Sequence, residues 1–295
     1  MFQESRAIWI SLVITGSLAA AADVASAPGR LSASEIVDKN VMARGGLQAW
    51  RAVRTMSLAG KLGAGGNQRE PLAVPLPDGK APKVVSPRPA EEVQLPFLME
   101  LERPRKTRFE LQFAGQTAVQ VFDGKQGWKF RPFLNRRVVE PYTADELKIT
   151  SMQADLDGPL VDYAAKGTRV ELAGEEKVEG RDTYRLKLTM NTGQSIQVWI
   201  DKVTFLEAKI DGQPRRMDGV DHPVEIYYRD YRKVDGLQIP FVLETRVLPV
   251  AKTALGFKDP PVPTEKIVIE KVLVNPKLDE SLFSRTGIEV ASSTR

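Results

Sequence analysis

The chain has 295 residues, 42% hydrophobic and 27% charged, with a formal net charge of +4. That is an ordinary folded composition, long enough for a sizeable core. Without cysteine there is no disulfide, thiol catalysis or lipidated cysteine, and no basic run, zinc spacing or recognition helix points to nucleic acid. The mild positive charge suits a weak attraction to anionic lipid without requiring one.

In chain order, Arg6 precedes a short apolar run, Ala7 to Ala22, that ends in small residues. This is the form of a secretory signal peptide. The run is shorter than the roughly 20 residues a spanning helix needs. Residues 1–27 are read as that signal, with cleavage after Ala22 or Ala27; an uncleaved membrane anchor is the competing reading. Residues 28–295 are read as a single domain.

The spacing predicts a helix over 34–44, capped by Ser32 or Ser34, with Ile36, Val37, Asn40 and Val41 on one face and Gly45-Gly46 as its stop. Leu47 to Trp50 is a further short turn that brings Trp50 to the core. The pattern then changes to period two, and residues 53–62 form the first predicted strand. Residues 63–92, rich in Pro and Gly, cannot sustain a ladder and are read as a mobile loop. Residues 249–264 are a second, shorter loop of this kind.

Elsewhere the chain is almost all strand: 93–102, 105–114, 116–122, 127–133, 168–178, 181–190, 194–201, 204–212, 223–234, 237–248 and 265–275. Turn signals such as Asp123-Gly124, Glu179-Gly180 and Asp235-Gly236 separate the runs. Strands joined by short turns make an antiparallel meander. One helix interrupts it, from Thr143 to Leu156, carrying Leu147, Ile149 and Met152; it is either a lid or a fixed packing helix. Near the C-terminus, Asp279 to Phe283 forms one helical turn whose Leu282 and Phe283 plug the core. The fold class is mainly β (α+β): one strongly curved antiparallel sheet with helices on one side. Strand segments 197–200 and 225–228 are apolar on both faces, so both faces need cover, from helices or from a lipid.

Catalytic signals are sparse. The one histidine, His222, follows Asp221, but adjacent residues on a strand point apart and no nucleophile elbow is present; a solvated loop histidine is the expected state. No tight carboxylate cluster suggests a metal or cofactor. Paired carboxylates placed by the fold leave a hydrolase open. The stretch Phe122-Asp-Gly-Lys-Gln-Gly-Trp-Lys-Phe-Arg-Pro-Phe133 resembles a phosphate loop at first sight. Its flanks are strands on both sides, so the backbone turns into a hairpin instead of a helix N-terminus.

The same stretch, with Asp123-Gly-Lys125, Trp128, Phe130 and Pro132-Phe133, resembles the central hairpin of the periplasmic lipoprotein carriers of the LolA/LolB type. Leu101-Glu-Arg-Pro104 followed by Arg108-Phe109 resembles that family's strand entry. The segment with Ala33 to Val37, Gly45-Gly46, Ala49-Trp50 and Thr55 to Gly60 is similar to its first helix and strand, and Tyr231 to Pro240 to its late hairpin. The resemblance implies an incomplete β-barrel with helices over the open side and a hydrophobic cavity for acyl chains. It implies a periplasmic carrier of lipids or lipoproteins in outer-membrane sorting, without cofactor or catalysis, working with an inner- or outer-membrane protein partner. A lipid-sensing regulator of a membrane partner is the alternative on the same fold. The loop 63–92 and the extra strands of the second half depart from the carriers. Candidate cavity residues are Phe109, Leu111, Phe113, Phe122, Trp128, Phe130, Trp199 and Phe205; ordinary core packing is the competing reading for each.

Overall fold

The computed structural model describes residues 30–65, 92–132, 136–217, 219–250 and 264–288. The expected signal peptide lies outside them, as do 66–91 and 251–263 within the two expected loops. The described residues from Ser32 onward fall within one compact unit. Helix α1 (Ala33–Ala43) starts at a capping box: the Ser32 hydroxyl accepts from the Glu35 amide, and Glu35 accepts from the Ser32 amide. Its buried face is Ile36, Val37, Asn40 and Val41. Helix α2 (Leu47–Ala52) follows directly and buries Trp50.

The strands are β1 (Thr55–Gly65), β2 (Glu92–Glu102), β3 (Lys106–Phe113), β4 (Gln116–Phe122), β5 (Gly127–Arg131) and β6 (Arg136–Pro141). After helix α3 (Ala144–Gln153) come β7 (Arg169–Val178), β8 (Arg181–Thr189), β9 (Ser195–Asp201) and β10 (Glu207–Asp211). A small hairpin, β11 (Arg215–Met217) and β12 (Val220–His222), precedes β13 (Val224–Val234), β14 (Leu237–Val247) and β15 (Glu265–Val274). Among the described residues, thirteen strands form one curved antiparallel sheet that does not close, in the order β6-β5-β4-β3-β2-β1-β15-β14-β13-β10-β9-β8-β7. Two meanders therefore meet where β1 pairs with β15. Strand β1 runs on to Gly65, three residues into the expected loop. The expected strand 204–212 shortens to β10, because Asp201 accepts from the amides of Val203 and Thr204 and holds 202–206 as a turn. Strands β6, β11 and β12 are additional to the sequence reading.

One face of the sheet, the inner face, carries the helices. On it lie Leu186, Leu188, Val198 and Ile200, all fully buried and aligned across β8 and β9. The apolar positions on the opposite, outer face have other covers. Over β9, β10 and β13, Trp199 and Tyr227 are buried with Val178 and Ala208. Long charged side chains roof them. Lys209 Nζ sits 4.0 Å from the Trp199 ring centre, and the Arg246 guanidinium 4.0 Å from that of Tyr227. Glu179 and Glu244 hold Arg229 and Arg246 in place at 2.6–2.9 Å. The aliphatic stems thus supply an apolar lid, with the Lys209 ammonium paired to Glu225 at 2.6 Å and the arginine heads partly exposed. Over β4 and β5 the cover is the C-terminal turn, as detailed below.

Candidate lipid-binding cavity

Period-two alternation on β1 and β2 places Met56 and Leu58 beside Leu101 and Met99 on the inner face, with Phe97 next in line. Phe109 on β3 is the partner of Met99, and its ring stacks on Phe97 at 5.9 Å. Across the β1–β15 and β14–β15 pairs, Ile267, Ile269 and Leu243 continue the same surface. Gly60 makes the junction possible. It sits at a register shift between β1 and β15. A Cβ there would lie 2.0 Å from the Val268 carbonyl oxygen and 3.0 Å from the Phe97 ring.

These residues enclose a cavity of about 250 Å³, closed by Trp50, Leu156, Ile239, Pro240 and Arg44. Thirteen of the fourteen lining residues are apolar; Arg44 is the exception. A cavity of ~150 Å³ takes a benzene ring, so this one has room for a chain of about ten carbons.

Arg44 is 8% exposed. It ends α1, and its carbonyl accepts from the Trp50 indole and from the Gln238 amide. Gly45, at φ +116, lets the chain pass within 2.6 Å of the Gly236 carbonyl oxygen, measured from its absent Cβ. The guanidinium lies over the Trp50 ring at 4.4 Å. Its Nη1 donates to the Asp157 carbonyl at 3.0 Å and is 3.4 Å from Glu207 Oε1. Tyr231 donates to Glu207 Oε2 at 3.1 Å. Burial first, and the Glu207 carboxylate second, hold the phenols of Tyr228 and Tyr231 above their ordinary pKa.

The segment between α3 and β7 closes the cavity through Leu156 and is pinned by charge. The buried Asp157 carboxylate accepts from Arg103 at 2.6 Å and from Lys166 at 2.5 Å. Asp155 pairs with Arg105 at 3.2 Å, and Asp162 with Arg51 at 2.5 Å. Helix α3 itself buries no residue. Lys129 of β5 holds it through Glu146 at 2.5 Å, and Arg105 through the Ser151 carbonyl.

Of the eight residues singled out in the sequence, Phe109 lines the cavity. Leu111 and Phe122 share its face, since Leu111 pairs with Phe97 and Phe122 with Thr107; Phe122 is buried. Phe113 stands 44% exposed in a separate hollow of about 440 Å³ between the ends of β2, β3 and β4. Trp128 and Phe130 point to the outer face, against Val119, Val121, Phe283 and Ile288. Trp199 also points outward, donating to Glu176 at 3.1 Å. Phe205 is in the turn before β10, where its ring meets Tyr184 and Lys39 and its carbonyl accepts from Asn40.

The turn of the β4–β5 hairpin is self-contained. The amides of Lys125 and Gln126 both donate to Asp123 Oδ1 at 2.7 Å, so the turn spends its donors on its own carboxylate. His222 is buried on β12, with Nδ1 3.1 Å from the Leu248 carbonyl oxygen, instead of solvated in a loop. Among the described residues, no group of three or more His, Asp or Glu side chains is placed to hold a metal ion. Among them, too, no helix is long and apolar enough to cross a membrane.

The open sheet with its helix-lined inner face matches solved structures along most of its length. A LolA superfamily protein from Nitrosomonas europaea superposes with a TM-score of 0.54 at 11% identity, over 88% of this chain and 100% of that one. The fold is LolA-like. A DUF1329 family protein from Desulfovibrio piger gives a TM-score of 0.51 at 13% identity, covering 88% and 99% of the two chains. A domain described as an outer-membrane lipoprotein-sorting protein, from Vibrio parahaemolyticus, gives 0.50 at 11% identity, covering 86% and 97%. No family model and no curated relative matches the sequence. In the LolA-like frame, the cavity occupies the middle of the inner face, where the two meanders join.

Proposed function

We propose that the protein is a periplasmic carrier that holds the acyl chain of a lipid or lipoprotein in the inner-face cavity, without catalysis, and serves lipid or lipoprotein sorting toward the outer membrane. One observation carries the reading: a cavity lined by thirteen apolar side chains and a single arginine. The LolA-like fold supports it, as does the description of one protein of that fold as an outer-membrane lipoprotein-sorting protein. Each buried methylene contributes ~0.8 kcal/mol. A ten-carbon chain then gains about 8 kcal/mol before the costs of association, which sets a ceiling near micromolar affinity from apolar contact alone. Such binding is reversible, as a carrier requires.

The test is native mass spectrometry and lipid extraction of protein purified from its own cells, beside a Met99→Trp variant. Met99 faces the cavity, and the larger indole there obstructs its middle. Co-purifying acyl lipid that is absent from a folded Met99→Trp protein supports the carrier. A wild-type protein recovered without lipid, and unable to take up any acyl probe, overturns it.

A further inference from the structure

From Arg44 we infer that the ligand is a single-chain amphiphile with an anionic head, a carboxylate or a phosphate, whose chain fills the cavity and whose head meets the guanidinium. The inference rests on the acyl-carrier reading and narrows it. Arg44 is the one charged residue on an otherwise apolar wall. Its named partners, the Asp157 carbonyl and Glu207, both engage Nη1. Among the described residues, no hydrogen bond engages Nε or Nη2, and neither is a buried atom without a partner, so both are open to solvent or to a ligand. The planar guanidinium thus presents donors that suit a bidentate oxyanion.

The charge around it has the matching sign. Arg44, Arg103, Arg105 and Lys166 form a connected set with Glu207, Asp155 and Asp157. Arg44 pairs with Glu207, while Arg103, Arg105 and Lys166 share Asp155 and Asp157, so the surplus positive charge lies in this neighbouring cluster, outside the cavity lining. Its field favours an anionic head over a neutral one, and a neutral head over a cation. The volume sets the chain number. About 250 Å³ takes one chain of about ten carbons, scaled from the ~150 Å³ that holds benzene, and not the several chains of a lipidated N-terminus.

The experiment is calorimetric titration of the delipidated full chain at pH 7.5 with decanoate, 1-decanol, decyltrimethylammonium and a triacylated lipopeptide. Decanoate is expected to bind about tenfold or more tighter than decanol, the margin of a hydrogen bond to a charged group, with the cation weakest and the lipopeptide weaker than decanoate. In Arg44→Gln, decanoate is expected to fall to the level of decanol. The wild-type series decides the matter even if that variant does not fold. Equal affinity for decanoate and decanol in the wild type overturns the anionic head and leaves the carrier reading standing. Tighter binding of the lipopeptide than of decanoate overturns the single chain and again leaves the carrier. If none of the four binds, both readings fall together.

Discussion

Gly60 shows how much one missing methyl group decides. It lies at the register shift where β1 meets β15, and a Cβ there would overlap the Val268 carbonyl and crowd Phe97. That overlap is with backbone, so no side chain can turn aside to relieve it. Gly60→Ala is expected to lose about 1–3 kcal/mol, the usual range for overpacking. Urea unfolding checks it: the midpoint falls while the slope is kept. In the sequence this glycine sits in an ordinary predicted strand, residues 53–62. Arg44 is similarly quiet there, one more residue at a helix end. The signal for the cavity wall was present, in the alternation of Met56 with Leu58 and of Phe97, Met99 and Leu101. Nothing local distinguishes such a stripe from any other buried strand face. Only the β1–β15 pairing puts it at the centre of the sheet.

At the scale of elements, the hairpin of β4 and β5 was legible as a hairpin but not as to what its rings touch. Side chains on a strand alternate between faces, so a shift of one residue exchanges them. The inner-face positions of β5 include Gly127 and Lys129, while Trp128 and Phe130 lie outward on Phe283 and Ile288. The hairpin aromatics therefore anchor the C-terminal turn. Trp128→Glu is expected to lower the melting temperature without changing the decanoate affinity of the protein that remains folded. Phe283→Ala, which empties the other half of the same contact, is expected to cost about 3–5 kcal/mol. Thermal melts paired with titration separate the two roles. A loss of affinity at an unchanged melting temperature in Trp128→Glu would place that ring in the binding path instead.

Across the whole molecule, the outer face is held by the lattice of Glu179, Arg229, Glu244 and Arg246, which ties the β7–β8 turn to β13 and β14. The Arg229 guanidinium foremost, and then Arg246, take the Glu179 carboxyl down to about 2 against burial. Glu244 is lowered as well: burial raises it, but the same two arginines outweigh that. A carboxyl whose pKa is lower folded than unfolded adds stability above its unfolded value and loses it as pH falls through the folded one. The protein is therefore expected to keep its stability down to about pH 4.5 and to shed this contribution between there and about pH 2. In Glu179→Gln the loss over that window is smaller, and melting temperatures measured from pH 6 to pH 2 show the difference.

By itself the sequence determined the mainly antiparallel sheet, the capped first helix, most strand boundaries and the hairpin turns. These follow from local periodicity, capping and turn chemistry, which act over a few residues. Tertiary structure decided the rest. It paired β1 with β15, chose which face of each strand looks inward, buried His222, and brought Arg44 beside Glu207 and Asp157. The β1–β15 pairing and the Arg44 contacts join residues some 110 to 220 positions apart in the chain, and the His222 contact spans 26; no local pattern encodes them.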